Sequence, residues 1–475
     1  MYIIGYFNFL TGGITLKRRI FVKTALAGAL VFSAGGASVL AHDEIGGGVE
    51  KGDNLAGVEL AVPLLEGSKN TGNLKEVAAV PLKEIRKGVK NSTGDVYAYK
   101  GFAYLGTHRA NGGGGGVRVF DMKDPSNPVE VSAFADIEGT WQEKVIVKTV
   151  NTKHFKGDLA AVSVQKMDQK DPNSKGGFVL YDVTNPREPK KLGFWESPSS
   201  GARGTHELYL TVQGDNVYVL TADCYADYYS HGKKMDVSIV DVSNPTNPET
   251  IYEFNPRDYI PEVSDENYDG YNWTDEEGVK RVAFAHSVKT DVTGKTAFLS
   301  YWDLGTIMLD ISDAKNPVYL GRTDFASDVQ GAAHSMDLAK GGTVLVETRE
   351  IFGPKREGFE SAYGYTMIYD IKDKTNPKLL STFRTDFTET IPNGATVHDP
   401  KVHGNTLYLS HYSGGVRTVD ITDPSSPQQT GMYIPSRANI WGVFVDRNYI
   451  LASDIGSGLK VLQKAGGQSS PALAE

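Results

Sequence analysis

The sequence holds a single cysteine, Cys224, so no disulfide can form within the chain and the fold must stand on packing. Positive charge is also short: the chain carries a net −9. Residues 1–41 contain Lys17, Arg18, Arg19 and Lys23 and no acid, so the remainder carries −13, the −9 of the whole less those four cations. An acidic body argues against nucleic acid and anionic membrane surfaces as partners. There is no Gly-x-Ser-x-Gly, His-Glu-x-x-His or Cys-x-x-Cys, so nucleophilic hydrolysis, zinc proteolysis and covalent haem attachment lack support. The five glycines Gly112 to Gly116 are not followed by Lys-Ser/Thr and read as a surface turn, not a phosphate loop. The insert Asp258 to Lys280 is acidic and Tyr-rich but lacks calcium-loop spacing; it reads as a solvated loop, with a lid over the channel as the alternative.

What the chain has in quantity is tyrosine (24) and glycine (52), a composition that favours strands and tight turns. It also has a repeat. Asp121, Asp182, Asp241, Asp310, Asp370 and Asp420 each follow four mostly apolar residues. Each precedes a proline seven positions on: Pro128, Pro189, Pro248, Pro317, Pro377 and Pro427. A truncated seventh copy runs from Gly458 to Gln463. The apolar run predicts a strand buried on both faces, the Asp side chain caps the following turn, and the proline opens an outer strand. Two further strands precede each copy, as at Ser287–Val292 and Thr296–Tyr301. Four strands repeated about seven times predict an all-β, seven-bladed β-propeller with four-stranded antiparallel blades. The chain stops after the third strand of the last unit, so a segment near Leu74–Leu82 is expected to close the ring; an open solenoid is the competing architecture.

Residues 1–41 read as a cleaved signal: a basic stretch, Lys17 to Lys23, then a soft apolar run, Thr24 to Leu40, shorter than the ~20 residues of a membrane span. Arg18-Arg19-Ile20-Phe21-Val22-Lys23 resembles the bacterial twin-arginine signal, with the general secretory route and an uncleaved anchor as alternatives. The resemblance implies a bacterial protein, periplasmic or extracellular, with no stable membrane span after processing, and it fits a cofactor loaded before export. Residues 42–90 form an N-terminal extension, 91–463 the propeller and 464–475 a disordered tail.

Repeats such as Val237-Ser238-Ile239-Val240-Asp241 resemble the LVIVD-repeat family, which implies the propeller and little about activity. The stretch from Phe298 to Ser312 is more distantly similar to a blade of the selenium-binding protein and methanethiol oxidase family. That likeness implies copper and a periplasmic home. Tyr301 stands where a cysteine often occurs in that family.

Four of the ten histidines occupy one place in the repeat, just before the first strand: His206, His286, His334 and His398. Alignment puts Glu143 there in the second unit and Trp441 in the seventh. The innermost strand of a blade borders the central channel, so these imidazoles should converge at one mouth although they lie almost 200 residues apart in sequence. Imidazoles beside a carboxylate suit one transition metal ion, with copper favoured and zinc, iron or manganese as alternatives. A structural role inherited by duplication is the competing interpretation. The ends of the second strands supply a surrounding shell: His411, Tyr301, Asp303, Cys224 and Asp223. His42, His154, His231 and His403 are expected in solvent. Two functions fit: an exported binding module for a small molecule or an extracellular protein, or a periplasmic copper-dependent oxidase of a small thiol or similar reductant.

Overall fold

The computed structural model describes residues 66–464 except 87–88, 110–113, 200, 231–234, 265, 330, 352–363 and 387–395. The signal region with His42, the insert residue His231, part of the glycine run and the 465–475 tail lie outside the described residues. No described helix is long and apolar enough to cross a membrane.

The chain is a seven-bladed propeller of four-stranded antiparallel sheets. Blade four shows the pattern, with strands Ser287–Thr290, Thr296–Ser300, Thr306–Asp310 and Val318–Arg322 in order from the axis outward. Its two middle strands are buried almost throughout because neighbouring blades cover both faces. The repeat's aspartates do what their position predicts. Asp121, Asp182, Asp241, Asp310, Asp370 and Asp420 each accept the backbone N–H two residues on, at 2.7–2.9 Å. In these six blades the pairing of strands three and four slips by one residue just before that Asp.

Ring closure follows the expected route. Leu74–Val80 pairs antiparallel with Gly458–Lys464 and completes blade seven, whose other strands are Ile440–Asp446 and Tyr449–Asp454. On the way in, Lys69–Asn70 adds a fifth strand to blade six. Blade seven meets blade one through the Tyr97–Phe444 ring contact at 4.7 Å and the Thr93 hydroxyl, which donates to the Asp454 carbonyl at 2.7 Å. The insert after blade three is not a solvated loop. It forms a small hairpin, Asn272–Thr274 with Lys280–Val282, and buries Tyr268, Tyr271 and Trp273. Its aromatic residues are its anchors: the Tyr268 hydroxyl donates to the Ala283 carbonyl.

Candidate metal centre

Blades one to seven present Gly94, Glu143, His206, His286, His334, His398 and Trp441 at the head of the innermost strand. Adjacent rings touch around the hub: His206–His286 at 4.6 Å between centroids, His286–His334 at 4.0 Å, His334–His398 at 4.4 Å and His398–Trp441 at 4.1 Å. Blade one, where sequence alignment finds no counterpart, contributes Gly94. A Cβ there would lie 3.0 Å from the Glu143 carbonyl oxygen and 3.1 Å from its Cγ, so the missing side chain makes room for Glu143.

Two of the imidazoles are turned by the next blade. Nδ1 of His286 lies 3.1 Å from the His334 carbonyl, and Nδ1 of His334 lies 2.9 Å from the His398 carbonyl. A carbonyl can only accept, so the proton sits on Nδ1 and the lone pair on Nε2. His206 instead sets Nδ1 against the Gln165 side-chain oxygen at 3.0 Å and Glu143 at 3.5 Å. All four rings are buried. Burial holds His286 down to about 3 and His206 and His398 well below the usual histidine range, with neighbouring charges adding to the effect on the latter two. These three are therefore neutral at pH 7, the form that ligates a metal.

A second tier comes from the ends of the second strands. His206, His286 and His398 donate their backbone N–H to Ala222, Ser300 and Ser410. Two residues further on stand Cys224, Trp302 and Tyr412. The same count past Thr348, the partner of Ser335, reaches Glu350. This tier meets the hub. Trp302 is 5.4 Å from His286 between centroids and Tyr412 is 5.3 Å from His398. Glu350 lies 3.4 Å from Nε2 of His334 and accepts the Tyr412 hydroxyl at 2.5 Å. Trp302 and Tyr412 take left-handed backbone conformations, φ 35° and 44°, unusual for bulky side chains and a cost met where a chain must aim a group.

Two donor sets result, each with its atoms within 4.8 Å of one another: His206, Cys224 and His286, and His286, His334 and Glu350. They share His286. Donors around one tetrahedral ion stand ~3.4 Å apart when each bond is about 2.1 Å, so small side-chain rotations would close either set.

The other residues of the expected shell lie elsewhere. Asp223 accepts the Ser197 hydroxyl, and burial pushes its carboxyl up to about 6. Tyr301 donates to Asp236 at 3.2 Å within the packing between blades three and four. Asp303 accepts the backbone N–H of Val282 and of Ala332 at 2.8 and 2.9 Å, a brace between segments. His411 is buried beside Tyr412. His154 is exposed, whereas His403 lines the outer part of the central cavity. Glu350 and Trp302 as hub neighbours escaped sequence reasoning, although the two-residue alternation of a strand end would have separated Cys224 from Asp223.

The LVIVD repeat family model matches residues 232–255 and 395–434, in blades three and six. Among solved structures, the WD40 domain of Neurospora crassa Pan2 is similar at 10% identity over 86% of this chain and 99% of that one, with a TM-score of 0.50. A computationally designed protein, Ika8, aligns at 10% identity over 82% of this chain and 99% of its own, with a TM-score of 0.46. The first likeness concerns the fold alone. No curated protein matches the sequence.

Proposed function

We propose that this LVIVD-repeat propeller is an exported binding module that holds one transition metal ion at its histidine hub. The observation that carries the reading is the convergence of imidazoles from four consecutive blades, buried and packed ring to ring, with Cys224 and Glu350 among the donors. A strictly structural histidine would be expected in every blade; here Gly94, Glu143 and Trp441 take its place in the other three. The His206–Cys224–His286 set is the softer and suits copper. The His286–His334–Glu350 set suits zinc, iron or manganese. A copper-dependent oxidase of a small thiol or similar reductant is the second reading, favoured by the cysteine in the donor set.

Protein purified from its natural compartment without chelators should carry about one transition metal per chain by elemental analysis. The His286→Ala/His334→Ala variant should carry none, because every donor set loses at least one ligand. Metal-free wild-type protein whose unfolding midpoint ignores added Cu²⁺ or Zn²⁺ would overturn the assignment. Cys224→Ser separates the two sets: loss of metal places the ion on the cysteine side, retention on the Glu350 side.

Export rests on the leader. Its paired arginines and folded-substrate route suit a protein whose metal is inserted before it leaves the cytoplasm. Arg18→Lys/Arg19→Lys should accumulate precursor inside the cell; unchanged export of that variant would reject the twin-arginine route.

A further inference from the structure

Beyond the histidine hub the central channel continues as a cavity of about 280 Å³, near the lower end of small-molecule sites at ~300 Å³. Its walls follow from the two-residue period of the innermost strands, which turns alternate side chains toward the axis. The first layer below the hub is ionic: Lys144 lies between Asp95 at 2.6 Å and Glu207 at 2.9 Å. The next layer is divided. Blades seven, one, two and three present Phe444, Tyr97, Ile146 and Tyr209, an unbroken apolar arc. Blades four, five and six present Lys289, Asp337 and Lys401.

Two cations converge on Tyr209. The Lys148 ammonium lies 4.8 Å from its ring centroid and 3.4 Å from its hydroxyl, and the Lys289 ammonium lies 5.8 Å from the same centroid. Lys289 also contacts Asp337, whose carboxylate is fixed by the backbone N–H of Leu338 and of Val402. Lys148 makes no ion pair among the described residues. In this outer half Lys289 is paired with Asp337 and Lys401 with Asp399 at 2.5 Å, so Lys148 is the ammonium that no carboxylate among the described residues answers. An anion set beside the Tyr209 hydroxyl would answer the Lys148 charge and share the Lys289 ammonium with Asp337. The tilted Tyr97–Phe444 pair and Ile146 supply the surface for a flat apolar body.

We propose that the channel is a binding site for a single-ring aromatic carboxylate. The carboxylate accepts from Lys148, Lys289 and the Tyr209 hydroxyl, and its ring lies against the apolar arc. The cavity volume admits one ring and no nucleotide. The proposal does not rest on a metal at the hub, since the cradle belongs to deeper positions of the innermost strands.

Benzoate is the probe, and benzylamine, with the same ring and the opposite charge, is its control. Titration calorimetry on the folded chain should show saturable benzoate binding and none by benzylamine at equal concentration. Lys148→Met and Lys289→Met should each weaken benzoate about tenfold or more, and Tyr209→Phe by less. Lys148→Met breaks no ion pair among the described residues, so it keeps the test decisive if Lys289→Met does not fold. Benzylamine binding as well as benzoate, affinity unchanged in Lys148→Met, or no benzoate binding at tens of millimolar would each overturn the proposal.

Discussion

His108 meets the Trp441 ring at 4.8 Å between centroids and has no contact with solvent worth the name, at 2% exposure. Burial pushes its imidazole down to about 3. Between that value and the ordinary 6.5 the unfolded chain binds a proton that the folded chain refuses. Acidification in that window therefore destabilises the fold by ~1.4 kcal/mol per pH unit through this one group, and above pH 6.5 the effect vanishes. Asp223 works in the opposite sense: burial raises it to about 6, so the folded chain holds the extra proton and stability falls as pH rises from about 4 to 6. Because buried acids and imidazoles oppose one another, the test must be a difference. The stability of wild type relative to His108→Gln, measured by urea unfolding, should fall by roughly 2 kcal/mol between pH 7 and pH 5. A gap independent of pH would mean that His108 takes up its proton in the native state as it does in the unfolded chain.

At the scale of elements, the blade strands were legible because each copy of the repeat carries its own punctuation. The Asp turns, the apolar runs before them and the closing segment near Leu74 are local signals, and the strands form where those signals lie. The histidine positions were legible for the same reason: four copies of one residue at one register. Of the tier behind them only part was, because its residues differ in every blade. Cys224, Trp302, Glu350 and Tyr412 share a position and no chemistry, and a one-residue error in parity exchanges them for Asp223, Tyr301, Arg349 and His411. Contacts between blades were equally silent. The fourth residue of the outer strand must approach the turn of the next blade. It is Ser132 and Ser381 where a hydroxyl donates to a proline carbonyl at 2.6 Å. It is Gly193 and Gly321 where a Cβ would stand 2.2 and 2.4 Å from a carbonyl oxygen. Serine and glycine solve one geometric problem in two ways, and neither residue announces it in one dimension.

The whole molecule depends on a contact between its two ends. Leu74–Val80 belongs to the start of the chain, and its partner Gly458–Lys464 belongs to the end. The join is not a bare ladder of backbone bonds: Leu74 is buried in the packing between blades six and seven, and Glu76 accepts the Tyr433 hydroxyl of blade six. Without it the third strand of blade seven becomes an edge, with Leu462 uncovered on one face and a row of backbone groups open to another chain. Removing residues 42–80 while keeping the leader should therefore lower the unfolding free energy by about 3 kcal/mol, the order of one large core side chain lost, with the added strand pairing on top. It should also shift the purified protein toward aggregates by light scattering. A peptide spanning 66–82, added in trans, should return part of the midpoint by occupying the open edge, and its effect should grow with concentration as mass action requires. An unchanged midpoint in the truncated chain would show that six complete blades and a three-stranded seventh hold the wheel shut unaided. The hub would then owe its geometry to packing between blades and not to the closing strand.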